Sequence, residues 1–550
     1  MKKNKLIFRI KIFAVILALT TSFTFSKLDD GDDFELIKNL EIYHLIFKEL
    51  RLNYVDKIDA AELITLSIDK MLKSLDPYTV YYPESKIEDY RYFSKGEYAG
   101  LGIRVDTINN FFVITSIIEE TPADKSGLLV GDKIIKVEDI DIKGKTLDDL
   151  SNLLKGEADV AVNLLIKRNN SDKEFVVEVI RKKIKLKNIP HYGVLKNNIG
   201  YIKLDRFTEE SSNEVKAAFI DLKENQNITS LILDLRGNPG GLLTQAVNIV
   251  NIFVEKDITI VEMKGKSSKM NRTFKTKQNP IDTEIPLIVL VNGNSASASE
   301  IVSGALQDLD RAVIVGEQTY GKGLVQSTVT LKYNARLKLT TAKYYIPSGR
   351  CVQAIDYAHD RTSSKNIPDS LLTEFKTKNG RSVYEGKGVK PDVIIDSEKE
   401  LPIIEALKKQ NIIFDFATNF RLENDSLGYN PTNYKVDNFN DFINYLKEVN
   451  FDRKTDAEIK YDNLLKSVKE GEYSEEAINE VIALESKIQN DDIIEAKKNE
   501  KEITNLLGEE IITRYYFSTG KLIFSQKHDK NILESIKIFS NIDSYNNLLK

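Results

Sequence analysis

Apolar residues follow a different pattern in each successive stretch of this 550-residue chain. Between 33 and 76 they recur at steps of three and four, through Leu36, Leu40, Tyr43, Phe47 and Leu50. Ala60, Ile64, Ile68, Met71 and Leu75 repeat the pattern, which predicts amphipathic helix up to Pro77. From 96 to 183 the period drops to two. Strands are expected at 112–114, around Ile117, and near 160–166 and 175–179. A short helix lies among them, with Thr146 as its N-cap and Leu147, Leu150, Leu153 and Leu154 on one face. From 198 to 395 strands (199–204, 230–235, 286–291, 312–315, 337–345, 393–395) alternate with helices (213–223, 242–254, 297–308), which predicts an α/β layered core. Beyond about 400 the chain is charged, glycine-poor and helix-prone, with Lys and Glu interleaved at 457–487 and 493–507. No sustained heptad runs through it, so it reads as a helical appendage packing on the core or on a second subunit rather than a coiled coil.

Composition narrows the class. A chain this long predicts about three or four domains. A hydrophobic content of 41% with 29% charged residues is that of a globular protein, and a net charge of −5 argues against nucleic acid as a partner. The single cysteine, Cys351, removes an intrachain disulfide framework and a cysteine-rich zinc site. No His/Glu cluster has metal-ligand spacing, so neither a metal nor another cofactor is expected. At the N-terminus Lys2, Lys3, Lys5, Arg9 and Lys11 precede an uncharged run from 12 to 26 that ends in small residues. That run is short of the roughly 20 residues that span a bilayer. Residues 1–26 are therefore expected to be a signal peptide, placing the protein in the periplasm or cell envelope. Retention of the segment as an inner-membrane anchor is the competing expectation.

The chemistry gathers in Asn294-Ser295-Ala296-Ser297-Ala298-Ser299-Glu300 and Tyr320-Gly321-Lys322-Gly323-Leu324-Val325-Gln326. A serine at the start of a helix gains from free N–H groups and the helix dipole, and a neutral lysine beside it makes an activated nucleophile without histidine. The sequence alone does not choose among the three alternating serines, and any of them could simply cap the helix. Lys322 must lose its proton to act as a base, which requires burial or a positive field to pull it down from about 10.4. Gln326 lies an even number of positions further on, so on a strand the two would share a face and Gln326 could orient the amine. Asp234-Leu235-Arg236-Gly237-Asn238-Pro239-Gly240-Gly241 reads as a strand, a glycine turn and a helix start. The N–H of Gly240 or Gly241, with that of Ala298, could hold a developing oxyanion. A tight turn needing glycine only for its angles explains the same residues. A triad of Ser297 with His359 is compatible with the spacing, whereas no Gly-x-Ser-x-Gly elbow is present.

Residues 96–183 resemble a PDZ domain. The order is Gly100-Leu101-Gly102-Ile103, Pro122-Ala123, Ser126-Gly127-Leu128 and Gly131-Asp132-Lys133-Ile134-Ile135. The resemblance implies that Leu101, Gly102 and Ile103 offer N–H groups to a peptide's terminal carboxylate and that the following strand pairs with the peptide.

The wider set of motifs resembles the carboxyl-terminal processing peptidases, or tail-specific proteases. It runs from Leu75-Asp76-Pro77-Tyr78-Thr79 through the glycine turn and both chemical segments to Thr341-Ala342-Lys343-Tyr344-Tyr345 and Pro347-Ser348-Gly349-Arg350. The resemblance implies Ser297 as nucleophile, Lys322 as general base at the family's spacing, and Gln326 as the residue orienting the lysine. It implies an α/β peptidase core with crotonase-like ββα layers at 184–398 and an inserted PDZ domain at 96–183. An N-terminal helical region at 27–95 and a helical extension at 399–550 flank them. The expected substrates are polypeptides with free C-termini, and the helical ends offer homodimer surfaces. An inactive PDZ adaptor that only captures protein tails is the rival reading.

Overall fold

The computed structural model describes residues 30–84, 96–169, 173–357, 368–396, 399–428, 430–437, 439–488 and 492–550. The expected signal peptide at 1–26 and His359 lie outside the described residues. The chain divides into two units, Met1–Tyr81 and Tyr82–Lys550.

In the first unit the predicted helical block is two helices, α1 (Asp30–Asn53) and α2 (Ala60–Leu75). Asp59 caps α2 through the N–H groups of Ala61 and Glu62, and an Asx turn on Asp76 ends it, accepting from Tyr78 N (2.7 Å) and Thr79 N (2.8 Å). Phe34, Leu36, Leu40, Leu45 and Ile46 on α1 are exposed.

The second unit begins with β1 (Glu97–Gly100), β2 (Ile103–Ile108), β3 (Phe111–Ile117), β4 (Lys133–Val137), α3 (Leu147–Leu154), β5 (Ala161–Lys167), β6 (Glu174–Ile180) and β7 (Lys182–Lys185). The sheet runs β2-β3-β4-β5-β6, so β2 is an edge strand, while β1 and β7 form a separate two-stranded ribbon. Val162, Leu164 and Ile166 point inward at alternate positions of β5, and Leu150 and Leu154 of α3 close the same core. Thr146 and Asp149 cap α3 reciprocally, as the sequence predicts.

The next part comprises β8 (His191–Leu195), β9 (Ile199–Lys203), α4 (Ser211–Glu224), β10 (Ser230–Asp234), α5 (Leu243–Phe253), β11 (Thr259–Gly265), β12 (Arg272–Lys275), β13 (Leu287–Val291), α6 (Ala298–Asp308), β14 (Val313–Gly316), β15 (Leu324–Thr330), β16 (Arg336–Tyr345) and β17 (Val393–Ile394). A six-stranded sheet has the order β8-β9-β10-β13-β14-β17, parallel except for β8 against β9. Both faces of its centre are covered, which is why β10 and β13 are buried at every position and read as apolar runs rather than alternations. One face packs on α4, α5 and α6 through Val215, Phe219, Ala246, Val250, Ile301 and Val302. A second, antiparallel sheet (β15-β16-β11-β12) contributes Val261, Ala342 and Tyr344 to the same core.

Nine helices among the described residues complete the unit: α7 (Pro402–Lys409), α8 (Ile412–Glu423), α9 (Phe439–Glu448), α10 (Asp456–Glu470), α11 (Glu475–Ile488), α12 (Asp492–Lys498), α13 (Glu500–Ser525), α14 (Lys530–Phe539) and α15 (Ile542–Asn547). Ile403, Leu407, Phe442, Leu446, Ile503 and Leu507 form their own core. They also lean on the small sheet domain. Phe414 and Phe517 pack on its core, and a Cβ on Gly131 would lie 2.3 Å from Thr418 Cγ2. At the end of the chain Ile532, Ile538 and Tyr545 cover the second face of the six-stranded sheet, against Tyr201, Ile232, Ile288 and Val313. Tyr545 Oη accepts from Leu287 N (2.9 Å), a bond spanning 258 positions of sequence. None of the helices among the described residues is long and apolar enough to cross a membrane.

Candidate active site

The site forms where three loops leave the C-terminal ends of parallel strands: β10 into the glycine turn, β13 into the serine loop, and β14 into the lysine loop. This is where an open α/β sheet places its ligands. Hydrogen bonds stitch the first two loops together. Asn238, fully buried, accepts from Ala296 N (3.1 Å) and Ser299 Oγ (2.9 Å) through its carbonyl and donates Nδ2 to Leu204 O (2.8 Å). Gly237 N donates to Asn292 Oδ1 (2.9 Å). Gly240, at φ +96°, lies so close to the serine loop that a Cβ there would be 2.6 Å from Ala296 O, 2.8 Å from Ala298 N and 2.9 Å from Ser297 Cβ. Only glycine fits that approach.

The three serines differ. Ser295 and Ser299 are fully buried, with hydroxyls donated to Leu235 O and Asn238 O (both 2.9 Å). Ser297 is half-buried and precedes the first residue of α6 at φ 55°, ψ −110°. For a residue with a Cβ this backbone costs about 1–3 kcal/mol, strain of the kind that gathers at functional sites.

Lys322, half-buried, sits between glycines that serve close approach. A Cβ on Gly321 (φ +88°) would be 2.4 Å from Ala354 Cβ, and one on Gly323 would be 2.8 Å from Gln353 N. Two side chains hold Ser297 and Lys322 together. Glu300 Oε2 accepts from both Ser297 N and Lys322 N (2.8 Å each), while its Oε1 accepts from Thr319 Oγ1 (2.6 Å) and Gly321 N (2.7 Å). On the other side the Tyr344 hydroxyl is shared between Lys322 O (2.9 Å) and Ser297 O (3.2 Å). Burial pushes the Glu300 carboxyl above its ordinary value, against the pull of its donors. Burial raises the Tyr344 phenol well above its ordinary value, so it stays protonated and a donor.

Two predicted details come out differently. The Gly240 N–H is donated to Asn238 Oδ1 (2.9 Å), whereas among the described residues neither Gly241 N nor Ala298 N has a hydrogen-bond partner. Strand β15 starts only at Leu324, so Lys322 lies outside it and the even spacing does not place Lys322 and Gln326 on one strand face. Gln326 Nε2 donates to Thr340 Oγ1 (3.1 Å). Glu300, Tyr344 and Asn238 had no role assigned from the sequence. Ser297-x-x-Glu300 carries the capping-box spacing, the one available signal.

At the other predicted site Leu101 and Gly102 precede the edge strand β2. Their carbonyls accept from Ala123 N (2.9 Å) and Ile118 N (2.8 Å), and among the described residues their N–H groups have no partner. Helix α3 lies beside β2. Of the histidines, His191 is on the edge strand β8, where burial lowers it from its ordinary value, and His528 faces Glu509 in the helical part. No group of three or more His, Cys, Asp or Glu able to hold a metal occurs among the described residues.

Comparison with known proteins agrees with this architecture. Residues 198–362 match Peptidase family S41, residues 113–168 a PDZ domain, and residues 403–539 the C-terminal helical domain of probable PDZ-proteases. A carboxy-terminal-processing protease of Bartonella bacilliformis is 40% identical over 60% of this chain and 76% of its own. A probable CtpA-like serine protease of Staphylococcus aureus is 30% identical over 89% of this chain and 90% of its own. A solved photosystem II D1 C-terminal processing protease is 27% identical, covering 64% of this chain and 86% of its own at a TM-score of 0.36. The fold is thus that of a PDZ-bearing serine-type peptidase. The chain belongs to peptidase family S41, among the carboxy-terminal-processing proteases.

Proposed function

We propose that this protein is an exported endopeptidase that takes hold of polypeptides by their free C-termini and cleaves them through an acyl-enzyme on Ser297. Lys322, neutral, takes the hydroxyl proton as Ser297 attacks the scissile carbonyl, then returns it to the leaving amine. The observation that carries this reading is the double anchoring of the two residues, through Glu300 on their N–H groups and Tyr344 on their carbonyls. Gln326 orients the lysine, and its partner Thr340 holds that side chain on the second sheet. For the oxyanion we favour Ala298 N and Gly241 N over Gly240, whose N–H is already engaged. The tail enters beside β2, with its carboxylate at the N–H groups of Leu101, Gly102 and Ile103. Export to the periplasm or cell envelope rests on the basic and apolar pattern of residues 1–26, with an inner-membrane tether as the alternative. The exposed apolar residues of α1 favour a homodimer, a reading that a monomeric mass in solution would remove.

The deciding assay is degradation of a loosely folded reporter with an apolar C-terminal tail. Wild-type protein should degrade it, while Ser297→Ala and Lys322→Ala should each lose at least a thousandfold in rate. Full activity of either variant overturns the dyad. Tail binding without cleavage by wild type would move the protein to the adaptor class.

A further inference from the structure

The glycine turn is gripped from a distance. Arg236, at its start, uses Nε and one terminal nitrogen on Asp234 (3.0 and 2.6 Å). Its other terminal nitrogen lies 3.0 Å from Oδ1 and 2.7 Å from Oδ2 of Asp529. Asp234, buried and already bound by the Tyr201 hydroxyl (2.8 Å), satisfies one edge of the guanidinium by itself. The second carboxylate comes from 293 positions later in the chain. The main chain of Arg236 is fixed as well: its N–H donates to Asp234 Oδ1 (2.9 Å) and its carbonyl accepts from Lys203 Nζ. From there the turn runs directly to Gly240, where there is no room for a Cβ against Ser297 and Ala298. Asp529 is itself held rigidly, since it N-caps α14 by accepting from Asn531 N (2.9 Å) and Ile532 N (3.1 Å). The ion pair is thus fixed at both ends and mostly shielded, each side chain being 17% exposed.

We propose that Asp529 is a positioning residue for catalysis: through Arg236 it sets the placement of the turn 236–241, and so of the N–H groups that receive the oxyanion. This rests on the reading that Ser297 is the nucleophile and that the turn lines its oxyanion site. Donors aimed at a developing charge must be placed before the reaction, and removing one outright costs about 10²–10³ in kcat. Loosening the turn should cost less, about ten- to a hundredfold.

Asp529→Asn in the full chain is the informative variant, because asparagine caps a helix as well as aspartate does while the charge is lost. The expected result is kcat on the reporter down about ten- to a hundredfold with KM unchanged. Affinity for a peptide boronate that mimics the tetrahedral adduct should fall in parallel, with the melting temperature within a few degrees of wild type. In a double-mutant cycle, Arg236→Gln with Asp529→Asn should be no slower than Arg236→Gln alone. Wild-type kcat in Asp529→Asn, or additive losses in the cycle, overturns the proposal. Ser297→Ala, run alongside, tests the underlying reading separately: if it stays active, that reading fails whatever Asp529→Asn does.

Discussion

Single atoms decide what the site can do. Tyr344 presents one hydroxyl proton to two carbonyls, those of Ser297 and Lys322, the two residues of the proposed dyad. Tyr344→Phe keeps the packing and removes that donor, a loss of about 1–3 kcal/mol for buried acceptors. The expected outcome is kcat reduced about tenfold or more at unchanged KM, and steady-state kinetics equal to wild type would show the hydroxyl to be idle. Gly240→Ala forces a methyl group against Ala296 O and Ser297 Cβ at positive φ. Strain and collision, each of about 1–3 kcal/mol, should abolish activity and lower the melting temperature together. Asp234 gives a pH dependence. Burial alone would raise its carboxyl, but Arg236 and Lys203 outweigh it and hold the group well below the usual carboxylate range. Because the folded value is the lower one, its stabilisation is present above the unfolded value of about 3.9 and disappears as pH falls below it. Thermal melts from pH 7 to 3 should show Asp234→Asn far less stable than wild type at pH 7, with the gap narrowing below pH 4. A gap that stays constant with pH would remove the carboxylate from the account.

Elements were legible in the sequence wherever their pattern is local. The apolar runs at 230–235 and 286–291 and the Thr146 cap predict β10, β13 and α3 to within a residue or two, because buried parallel strands and capped helices write their environment into consecutive residues. Strands β11 and β12 were not anticipated. They pair as part of a sheet whose partners lie some eighty positions further on, and four residues such as Arg272-Thr273-Phe274-Lys275 carry too little pattern to stand out. The bulge at Thr341 of β16, opposite Val325 and Gln326, is equally silent, since no glycine or proline marks it. At the candidate site, motif singles out Ser297 and Lys322, while the side chains that join them carried no such signal. Glu300 works across 22 positions and Tyr344 across 47, and only the closed fold brings them to their acceptors. The loop before β2, the proposed carboxylate site, offers a test at this scale. A Cβ on Gly102, at φ +88°, would sit 2.3 Å from Thr121 Oγ1. Gly102→Ala should therefore weaken binding of a peptide with a free C-terminus at least tenfold in fluorescence anisotropy, towards the affinity of the amidated peptide. Unchanged affinity would place the groove elsewhere.

In the whole molecule the helical extension is structural to the peptidase. The sequence predicts an appendage packed on the core or on a second subunit without saying which helices do so, and it is the last two, through Ile532, Ile538 and Tyr545, that bury against the large sheet. Each such side chain is worth about 1.5–3 kcal/mol. Deleting 529–550 should leave the protein insoluble or lower its melting temperature by more than 10 °C. A truncated chain that melted like wild type would make these helices mere decoration.

The bond from Tyr545 to Leu287 also puts a clock on the making of this enzyme. A ribosome adding about 5–20 residues per second needs roughly 13 to 50 seconds to travel the 258 positions between them. For that interval the strand leading to Ser297 has been synthesised but its sheet lacks a back wall. Until α14 and α15 arrive, Tyr201, Ile232, Ile288 and Val313 wait with one apolar face of the sheet uncovered.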